Sequence, residues 1–186
     1  MPEKISESEL IQALSDTFRT YGYEGASMTL ISRATGLKKS SLYHRFPDGK
    51  QQMAAAVAEA IASGVEKEAL APLRDEGKPR QKVKATAKRL SAFYQGGNKP
   101  CAIDTLSIAG DQGEQTLAAL RQSYDALLEG FKAVAIEAGL KPKAAQQRAS
   151  RAITLIEGSL VVSRLTNDHT EFERVMSELP ELLCAM

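Results

Sequence analysis

The sequence is poor in the residues that build most catalytic and metal centres. It contains two cysteines, two histidines and no tryptophan among 186 residues. His44 and His169 lie in separate segments, and neither has a carboxylate or a cysteine at the spacing of zinc ligands. Gly-x-Ser-x-Gly, Walker-type and dinucleotide-binding sequences do not occur. We therefore expect no enzyme activity, no bound metal and no cofactor.

The two cysteines, Cys101 and Cys184, form neither a CxxC pair nor a metal-ligand spacing. This usage fits a reduced cytoplasm. One interpretation is a disulfide or redox switch between the two cysteines. The simpler interpretation is that both act as small buried hydrophobic residues. Asp104 and Asp111 lie near Cys101, but a nucleophilic cysteine needs a base, and no histidine is close to it in sequence.

Long hydrophobic runs are also missing. The longest uninterrupted apolar run is Met53–Ala58, whereas a membrane-spanning helix needs roughly 20 such residues. The polar N-terminus does not resemble a signal peptide. With 43% hydrophobic and 25% charged residues, the chain is expected to be a cytoplasmic protein without a membrane partner. Its length suits one domain of standard size plus a small one.

The most informative stretch runs from Ser27 to Phe46. Apolar residues recur at helical spacing before Gly36 and again after it. A glycine can adopt the positive φ that ends one helix and redirects the chain into the next. The stretch therefore predicts a helix-turn-helix. The apolar positions are Met28, Ile31 and Ala34 before the glycine, and Leu42, Tyr43 and Phe46 after it.

The second helix of this motif carries side chains that bond phosphates and base edges. Between Arg33 and Lys50 there are five basic residues and one acidic residue, although the whole chain has a net charge of only +1. Such a patch is typical of a surface that approaches a phosphate backbone. The alternative is a solvated helix face that merely carries lysines. The polar side chains are those of Lys38, Lys39, Ser40, Ser41, Tyr43, His44 and Arg45.

The segment Leu42-Tyr43-His44-Arg45-Phe46, with the turn glycine before it and Pro47-Asp48-Gly49-Lys50 after it, resembles the DNA-binding motif of tetracycline-repressor-type (TetR family) regulators. The resemblance covers roughly the first quarter of the chain. Two residues depart from the usual pattern, Lys38 at a common Ser or Thr position and Thr35 at a common Ala position. Lys38 has no acceptor group for the helix N-terminus, so this helix start must be satisfied in another way.

The resemblance implies a DNA-binding domain over residues 1–47 and an effector-binding and dimerisation domain over residues 48–186. It also implies that Tyr43 bonds the DNA backbone. It implies further that the helix after Pro47 moves the DNA-binding helices of the dimer when a ligand binds. Double-stranded operator DNA, a second copy of the chain and a small-molecule effector are the expected partners. The expected DNA-binding residues are Ser27, Thr29, Lys38, Lys39, Ser40, Ser41, Tyr43, His44 and Lys50.

The fold class predicted for the whole chain is all-α, with about nine helices. No stretch alternates apolar and polar residues in the manner of a strand. Residues 1–5 are expected to be disordered, and Ser6 with Glu9 predicts a capping box at the first helix. Besides the helix-turn-helix, the helices are expected at about residues 6–21, 48–70, 81–95, 103–109, 114–139, 142–165 and 170–184.

Aromatic and aliphatic residues on the middle helices suggest an effector pocket of mostly apolar character. The alternative is a solid core, which is what an aromatic stripe at helical spacing usually forms. The residues expected to line the pocket are Phe93, Tyr94, Ile103, Leu106, Tyr124, Leu128 and Phe131.

The helix predicted over 142–165 has one face of mostly small residues, and the next helix is strongly apolar. Small side chains let helices approach closely, so we expect these two helices to form half of a four-helix dimer interface. The alternative is that this face packs inside its own subunit. The expected interface residues are Ala152, Ile156, Ser159, Ser163, Phe172, Met176 and Leu179.

Two functions from different classes follow. The first is a dimeric DNA-binding regulator, a repressor released from a palindromic operator by a small hydrophobic or aromatic effector. The second is a helical small-molecule-binding or scaffold protein that keeps the fold without binding DNA. The basic, hydroxyl-rich helix from Lys38 to Arg45 favours the first, because a scaffold has no reason to expose it.

Overall fold

The computed structural model describes residues 5–108 and 110–184, and this part of the chain is helical without any β-strand. The predicted all-α class is confirmed. Of the segment expected to be disordered, residues 1–4 lie outside the described residues. None of the described helices combines the length and hydropathy needed to span a bilayer. The nine described α-helices are α1 (Glu7–Gly25), α2 (Met28–Thr35), α3 (Lys39–Arg45), α4 (Lys50–Gly64), α5 (Pro79–Phe93), α6 (Ala102–Ser107), α7 (Glu114–Glu137), α8 (Pro142–Thr166) and α9 (Thr170–Cys184).

The chain forms two compact units. The N-terminal unit contains the residues up to Ala62 together with Ala102–Arg121, and the C-terminal unit contains Ser63–Cys101 together with the residues from Gln122 onward. The N-terminal unit is thus larger than the segment 1–47, because the first part of α4, α6 and the start of α7 pack with it. The functional boundary between residues 47 and 48 stays a prediction.

The start of α1 has the predicted capping box. The backbone N–H of Glu9 donates to the Ser6 hydroxyl at 3.3 Å, and the backbone N–H of Ser6 donates to the Glu9 carboxylate at 2.8 Å. Bonds from the Ser6 hydroxyl and backbone lower the pKa of Glu9. The helix is interrupted at Gly22, where φ is +66°, and a final turn runs to Gly25. Both ends were therefore predictable from short-range sequence signals.

The core of the N-terminal unit is built on one face of α1. Leu10, Leu14 and Phe18 repeat at helical spacing, and each is at most 2% exposed. They belong to one buried cluster with Ile31 of α2 and Leu42 of α3. The same cluster includes Met53 and Val57 of α4, Ala102 and Leu106 of α6, and Leu120 of α7. The helix-turn-helix is thus held by a continuous apolar core.

The long helix predicted from 48 to 70 is shorter and irregular at its end. The α-helical part stops at Gly64, a π-helical turn covers Val65–Ala69, and a 3₁₀ turn covers Ala71–Arg74. Pro72 lies in that last turn, where its missing N–H and fixed φ prevent a longer α-helix. Helical structure of some kind thus continues to near Pro72 as predicted, whereas the earlier end of the α-helix at Gly64 and the π-helical turn after it have no signal that periodicity alone would reveal.

In the C-terminal unit, α9 packs against both α5 and α8. The face of α8 that the sequence predicts as part of a dimer interface is buried in the single chain, where Ser159 is 4% exposed. Its hydroxyl donates to the carbonyl of Ile156 at 2.8 Å. The small residues bring α8 close to helices of its own subunit, so this face is no longer a candidate for the dimer surface. The buried side chains are those of Ala152, Ile156, Ser159, Ser163, Phe172, Met176 and Leu179.

Candidate nucleic-acid interface

The turn between α2 and α3 is fixed by one glycine and two hydroxyl side chains. Gly36 ends α2 with φ +67° and ψ 4°, the left-handed conformation that the sequence predicts. The Thr35 hydroxyl donates to the carbonyl of Ile31 at 2.8 Å and accepts from the N–H of Leu37 at 3.3 Å. The Ser32 hydroxyl donates to the carbonyl of Leu37 at 2.6 Å. Thr35, where related motifs often have Ala, therefore adds bonds that hold the turn.

The start of α3 lacks a side-chain cap, as the lysine at position 38 predicts. Lys38 occupies the N-cap position with extended backbone and makes no side-chain capping bond among the described residues. The first N–H groups of a helix have no partner within the helix, and here the N-cap side chain supplies none. Unsatisfied N–H groups at a helix N-terminus favour an anion, so this end of α3 suits a phosphate.

Burial divides α3 into two faces. Leu42 is 0% exposed and anchors the helix in the core, with Leu37 and Phe46 packed against the same cluster. The opposite face carries ammonium, hydroxyl, phenol and imidazole groups and is open to solvent. Its exposed residues are Lys38, Lys39, Ser40, Ser41, Tyr43 and His44.

The position of Tyr43 depends on Gly49, a residue whose role the motif alone does not reveal. The Tyr43 side chain is 49% exposed. A Cβ added to Gly49 would lie 3.2 Å from Cε1 of Tyr43, and Gly49 has φ +64°. Both the contact and the backbone conformation favour glycine. The ring of Tyr43 therefore lies against Gly49, the residue just before α4, and the side chain is half exposed.

Ser27 and Thr29 contribute differently. The backbone N–H of Leu30 donates to the Ser27 hydroxyl at 3.3 Å, so Ser27 caps α2 as predicted. Thr29 lies in the first turn of α2 and is exposed. Ser27 thus has a structural role, whereas Thr29 stays available to a partner.

Lys50 is bound within the protein. Its ammonium donates to the carbonyl of Tyr23 at 2.9 Å, lies 4.2 Å from the centre of the Tyr23 ring and is 3.9 Å from the Glu24 carboxylate. Burial, together with the carboxylates of Asp111 and Glu24, raises the pKa of Tyr23, which keeps the ring neutral. Lys50 therefore joins the start of α4 to the end of α1, a role that depends on contacts distant in sequence.

The seven residues expected to line an effector pocket are divided between the two units. Ile103 and Leu106 lie in the N-terminal unit, where Leu106 is part of the buried cluster. The others lie in the C-terminal unit. Tyr94 and Phe131 are buried there, Phe93 and Leu128 are half-buried, and Tyr124 is exposed.

Phe93 lines a cleft of about 450 Å³ in the C-terminal unit. Ala69 of the π-helical turn and Ala92 complete its apolar part, and Glu68 and Arg89 supply its polar groups. The guanidinium of Arg89 donates to the carbonyl of Glu68 at 2.8 Å, which holds the two walls together.

Both cysteines are free thiols, and Cys101 is buried with its sulfur 3.5 Å from the hydroxyl of Tyr94.

Two family models match the chain. A model of bacterial regulatory proteins of the tetR family matches residues 10–57. A model of the C-terminal domain of LmrA/YxaF-like transcriptional regulators matches residues 79–178. The chain is also 21% identical over 181 residues to the HTH-type transcriptional regulator LmrA of Bacillus subtilis, with 96% of each chain covered.

Solved structures share the fold at low sequence identity. A TetR transcriptional regulator from Legionella pneumophila is similar with a TM-score of 0.82 and 20% identity, covering 98% of this chain and 100% of that one. Reduced Escherichia coli NemR has a TM-score of 0.75 and 17% identity, with 92% and 93% covered. The Bacillus subtilis regulator FadR, crystallised with stearoyl-CoA, has a TM-score of 0.74 and 12% identity, with 97% and 98% covered.

Proposed function

Since this chain belongs to the TetR family of bacterial transcriptional regulators, which are DNA-binding proteins and not enzymes, we propose that it is a homodimeric repressor. In this proposal two copies bind the half-sites of a palindromic operator in the cytoplasm, and a small hydrophobic or aromatic effector releases them.

The exposed face of α3 is the observation that carries the proposal. Lys38 and Lys39 supply positive charge at the helix start, and Ser40 and Ser41 supply hydroxyl groups next to them. Lysine contacts to phosphate add affinity without reading sequence, whereas side chains that reach base edges give specificity. In a helix-turn-helix, the N-terminal residues of the second helix reach the bases in the major groove. Leu42 anchors the opposite side of α3 in the core, so the polar face is held outward.

A dimer is needed because one short helix contacts too few bases. Two helix-turn-helix motifs held about 34–36 Å apart, the length of one turn of DNA, can contact both half-sites of a palindrome. The surface we assign to the second copy is the solvent-exposed stripe of α8. Val161, Val162 and Leu165 are 38%, 42% and 84% exposed in the single chain, and Thr154 and Gly158 continue the stripe at helical spacing. An exposed apolar stripe of this kind is typical of a subunit contact closed by a two-fold axis.

The cleft beside Phe93 is our candidate for the effector. Its ring and two alanines offer an apolar surface, and the Arg89 guanidinium offers donors that would orient a flat or acidic ligand. The structural neighbour FadR was crystallised with stearoyl-CoA, which supports a small-molecule effector for a protein of this fold.

The DNA-binding part is tested by salt-dependent titration of a DNA duplex with the wild type and Lys39→Ala. Lys39→Ala is expected to weaken binding to all sequences about equally and to reduce the slope of log K against log salt by about one unit. The matched control is Lys143→Ala, which removes another exposed lysine, from α8, and is expected to leave the slope unchanged.

Two results would contradict this assignment. Equal loss in both variants would mean that general charge and not α3 drives binding. No binding of any duplex by the wild type would favour the alternative, a helical small-molecule-binding or scaffold protein. A third result, loss of affinity for one sequence alone, would keep α3 as the DNA-binding helix and make Lys39 a base reader.

The effector part is tested by a compound screen that measures melting temperature and operator affinity together. A cognate effector should raise the melting temperature and lower DNA affinity, because the two binding events are coupled reciprocally. Ala92→Trp should fill the cleft and block both responses, while the control Ala133→Trp, at an exposed position of α7, should not. A normal response of Ala92→Trp would remove this cleft as the effector site.

A further inference from the structure

A second cleft in the C-terminal unit, of about 420 Å³, lies between α5 and α9, and we call it the α5–α9 groove. It is separate from the cleft beside Phe93, because the two are lined by residues on different sides of α5. Three of the residues that line the groove are apolar and buried, namely Ala87, Met176 and Pro180. The groove therefore has an apolar floor, which the proposed function does not use.

The helix on one side of the groove, α5, carries an excess of positive charge. Residues 78–89 include six basic residues and no acidic one. Arg80 forms an ion pair with Glu181 of α9 at 2.8 Å, and Lys82 forms one with Glu137 of α7 at 2.9 Å. Only these two of the six basic groups have a carboxylate partner in the described part of the chain.

The groove contains two of the basic groups that remain unpaired. Lys84 and Lys88 line it one helical turn apart, and both side chains are exposed. Neither ammonium forms an ion pair with a described residue, and Ser91, the other polar lining residue of α5, carries no charge. Like charges four residues apart on a helix repel each other. A bound anion would remove that repulsion.

The ion pairing between α5 and α9 stops at the groove because α9 is neutral there. Glu181 pairs with α5, but one turn earlier on α9 the lining residue is Ser177. The neighbouring Glu178 is paired with Arg174 at 2.7 Å, and Glu173 is not part of the lining. The groove thus combines an apolar floor with two positive charges that the described residues of α9 do not neutralise.

We propose that the α5–α9 groove binds a small organic carboxylate with an apolar tail. The ammonium groups of Lys84 and Lys88 donate charge-assisted hydrogen bonds to the carboxylate. The tail covers Ala87, Met176 and Pro180 and removes their remaining apolar surface from water. An organic cation is repelled by the two lysines, and an inorganic anion leaves the floor uncovered, so neither satisfies both parts of the groove.

Calorimetric titration of the full-length protein with octanoate tests this site in the absence of DNA. Saturable binding of one octanoate per chain is expected. Lys84→Gln combined with Lys88→Gln should weaken it about tenfold or more. The control pair, Lys141→Gln with Lys143→Gln, removes the same charge at exposed positions around the start of α8 and should leave binding unchanged. Octylammonium, with the same tail and the opposite charge, and acetate, with the same head group and no tail, should not bind.

Ser177→Trp gives a second test that keeps both lysines. Ser177 is exposed, so the indole should occupy the groove without lowering the melting temperature and should weaken octanoate binding about fivefold or more. The control Ala133→Trp, at an exposed position of α7, should have no effect. Ala92→Trp fills the cleft beside Phe93 and should also leave octanoate binding unchanged, which separates this site from the proposed effector site.

Several results would overturn the proposal. They are the absence of saturable octanoate binding up to about 10 mM, equal binding of octylammonium, and equal binding of acetate, which would mean an adventitious ion only. Unchanged affinity in the lysine double variant or in Ser177→Trp, or loss of binding in Ala92→Trp, would place the ligand elsewhere. Sedimentation of the lysine double variant should match that of the wild type, and a changed oligomeric state would mean that a second copy of the chain covers the groove instead.

Discussion

The two units present helix faces of opposite character to solvent. In the N-terminal unit, α3 exposes lysines, serines, a tyrosine and a histidine, whereas in the C-terminal unit α8 exposes Val161, Val162 and Leu165. Both helices bury an opposite face in their own core. The exposed faces therefore require different partners, a charged polymer for α3 and a second apolar surface for α8. If this contrast is right, substitutions on the two faces must have separable effects.

The largest contrast is expected on α8 between Ser159→Arg and Leu165→Arg. Ser159 is buried and Leu165 is 84% exposed, although both lie on the same helix. Ser159→Arg places an unpaired charge in the core and should cost about 4 kcal/mol or more of unfolding free energy. Leu165→Arg should leave the subunit folded and separate the dimer, so that operator binding falls.

Circular dichroism and analytical ultracentrifugation decide between the two faces of α8. A folded, monomeric Ser159→Arg protein would restore the small-residue face as the dimer surface. A Leu165→Arg protein that stays dimeric at low micromolar concentration would contradict the assignment of the exposed stripe.

The next largest effect is expected within α3, where two neighbouring residues lie on opposite faces. Leu42→Ala removes a fully buried side chain and should lower the unfolding free energy by about 2–5 kcal/mol. Ser41→Ala changes an exposed hydroxyl and should alter it by less than about 0.5 kcal/mol, while it weakens DNA binding. Chemical denaturation and duplex titration of both variants test this. Similar destabilisation by the two substitutions would mean that α3 has no free face.

The next two substitutions replace one glycine in each unit, and they should change the unfolding free energy by smaller amounts and in opposite directions. Gly36 has φ +67° with nothing within 4 Å of an added Cβ, whereas Gly64 has helical φ with the Phe93 ring at 3.5 Å. Gly36→Ala should therefore cost about 1–2 kcal/mol through backbone strain alone. Gly64→Ala should stabilise by about 0.4–1 kcal/mol. Thermal unfolding measures both, and a stabilising Gly36→Ala would exclude the left-handed turn between α2 and α3.

The smallest effect concerns Tyr43, whose ring lies over Gly49. Tyr43→Phe keeps the packing and removes one hydroxyl, so DNA affinity should fall by about 1 kcal/mol while the melting temperature is unchanged. Fluorescence anisotropy with a duplex and differential scanning fluorimetry measure the two quantities. A lower melting temperature with intact affinity would make Tyr43 a purely structural residue.

The sequence predicts the N-terminal unit well because the signals there are local. The capping box of Ser6, the cap at Ser27 and the left-handed Gly36 each depend on residues only a few positions apart. The outward face of α3 follows from Leu42, since one buried residue fixes the orientation of so short a helix. These features need no knowledge of the remaining chain.

The predictions that depend on contacts distant in sequence were less successful. Periodicity reveals that α8 has a small-residue face, but only the tertiary packing within the subunit decides that Ser159 is buried. Leu106 was expected beside a ligand and instead lies in the core of the N-terminal unit. Lys50 was expected to bind DNA, but its ammonium is bound by Tyr23 and Glu24, more than 20 residues away in the chain.

In the proposed function, two copies of α3 read DNA across a two-fold axis. Selection of fragments from a random duplex pool by the purified protein, followed by sequencing, tests it most directly. We expect an enriched palindrome whose half-site centres lie about 10–10.5 base pairs, or a multiple of that spacing, apart. We also expect Leu165→Arg to lose this enrichment. Failure to enrich any sequence, or a single unpaired half-site selected equally well by Leu165→Arg, would contradict it.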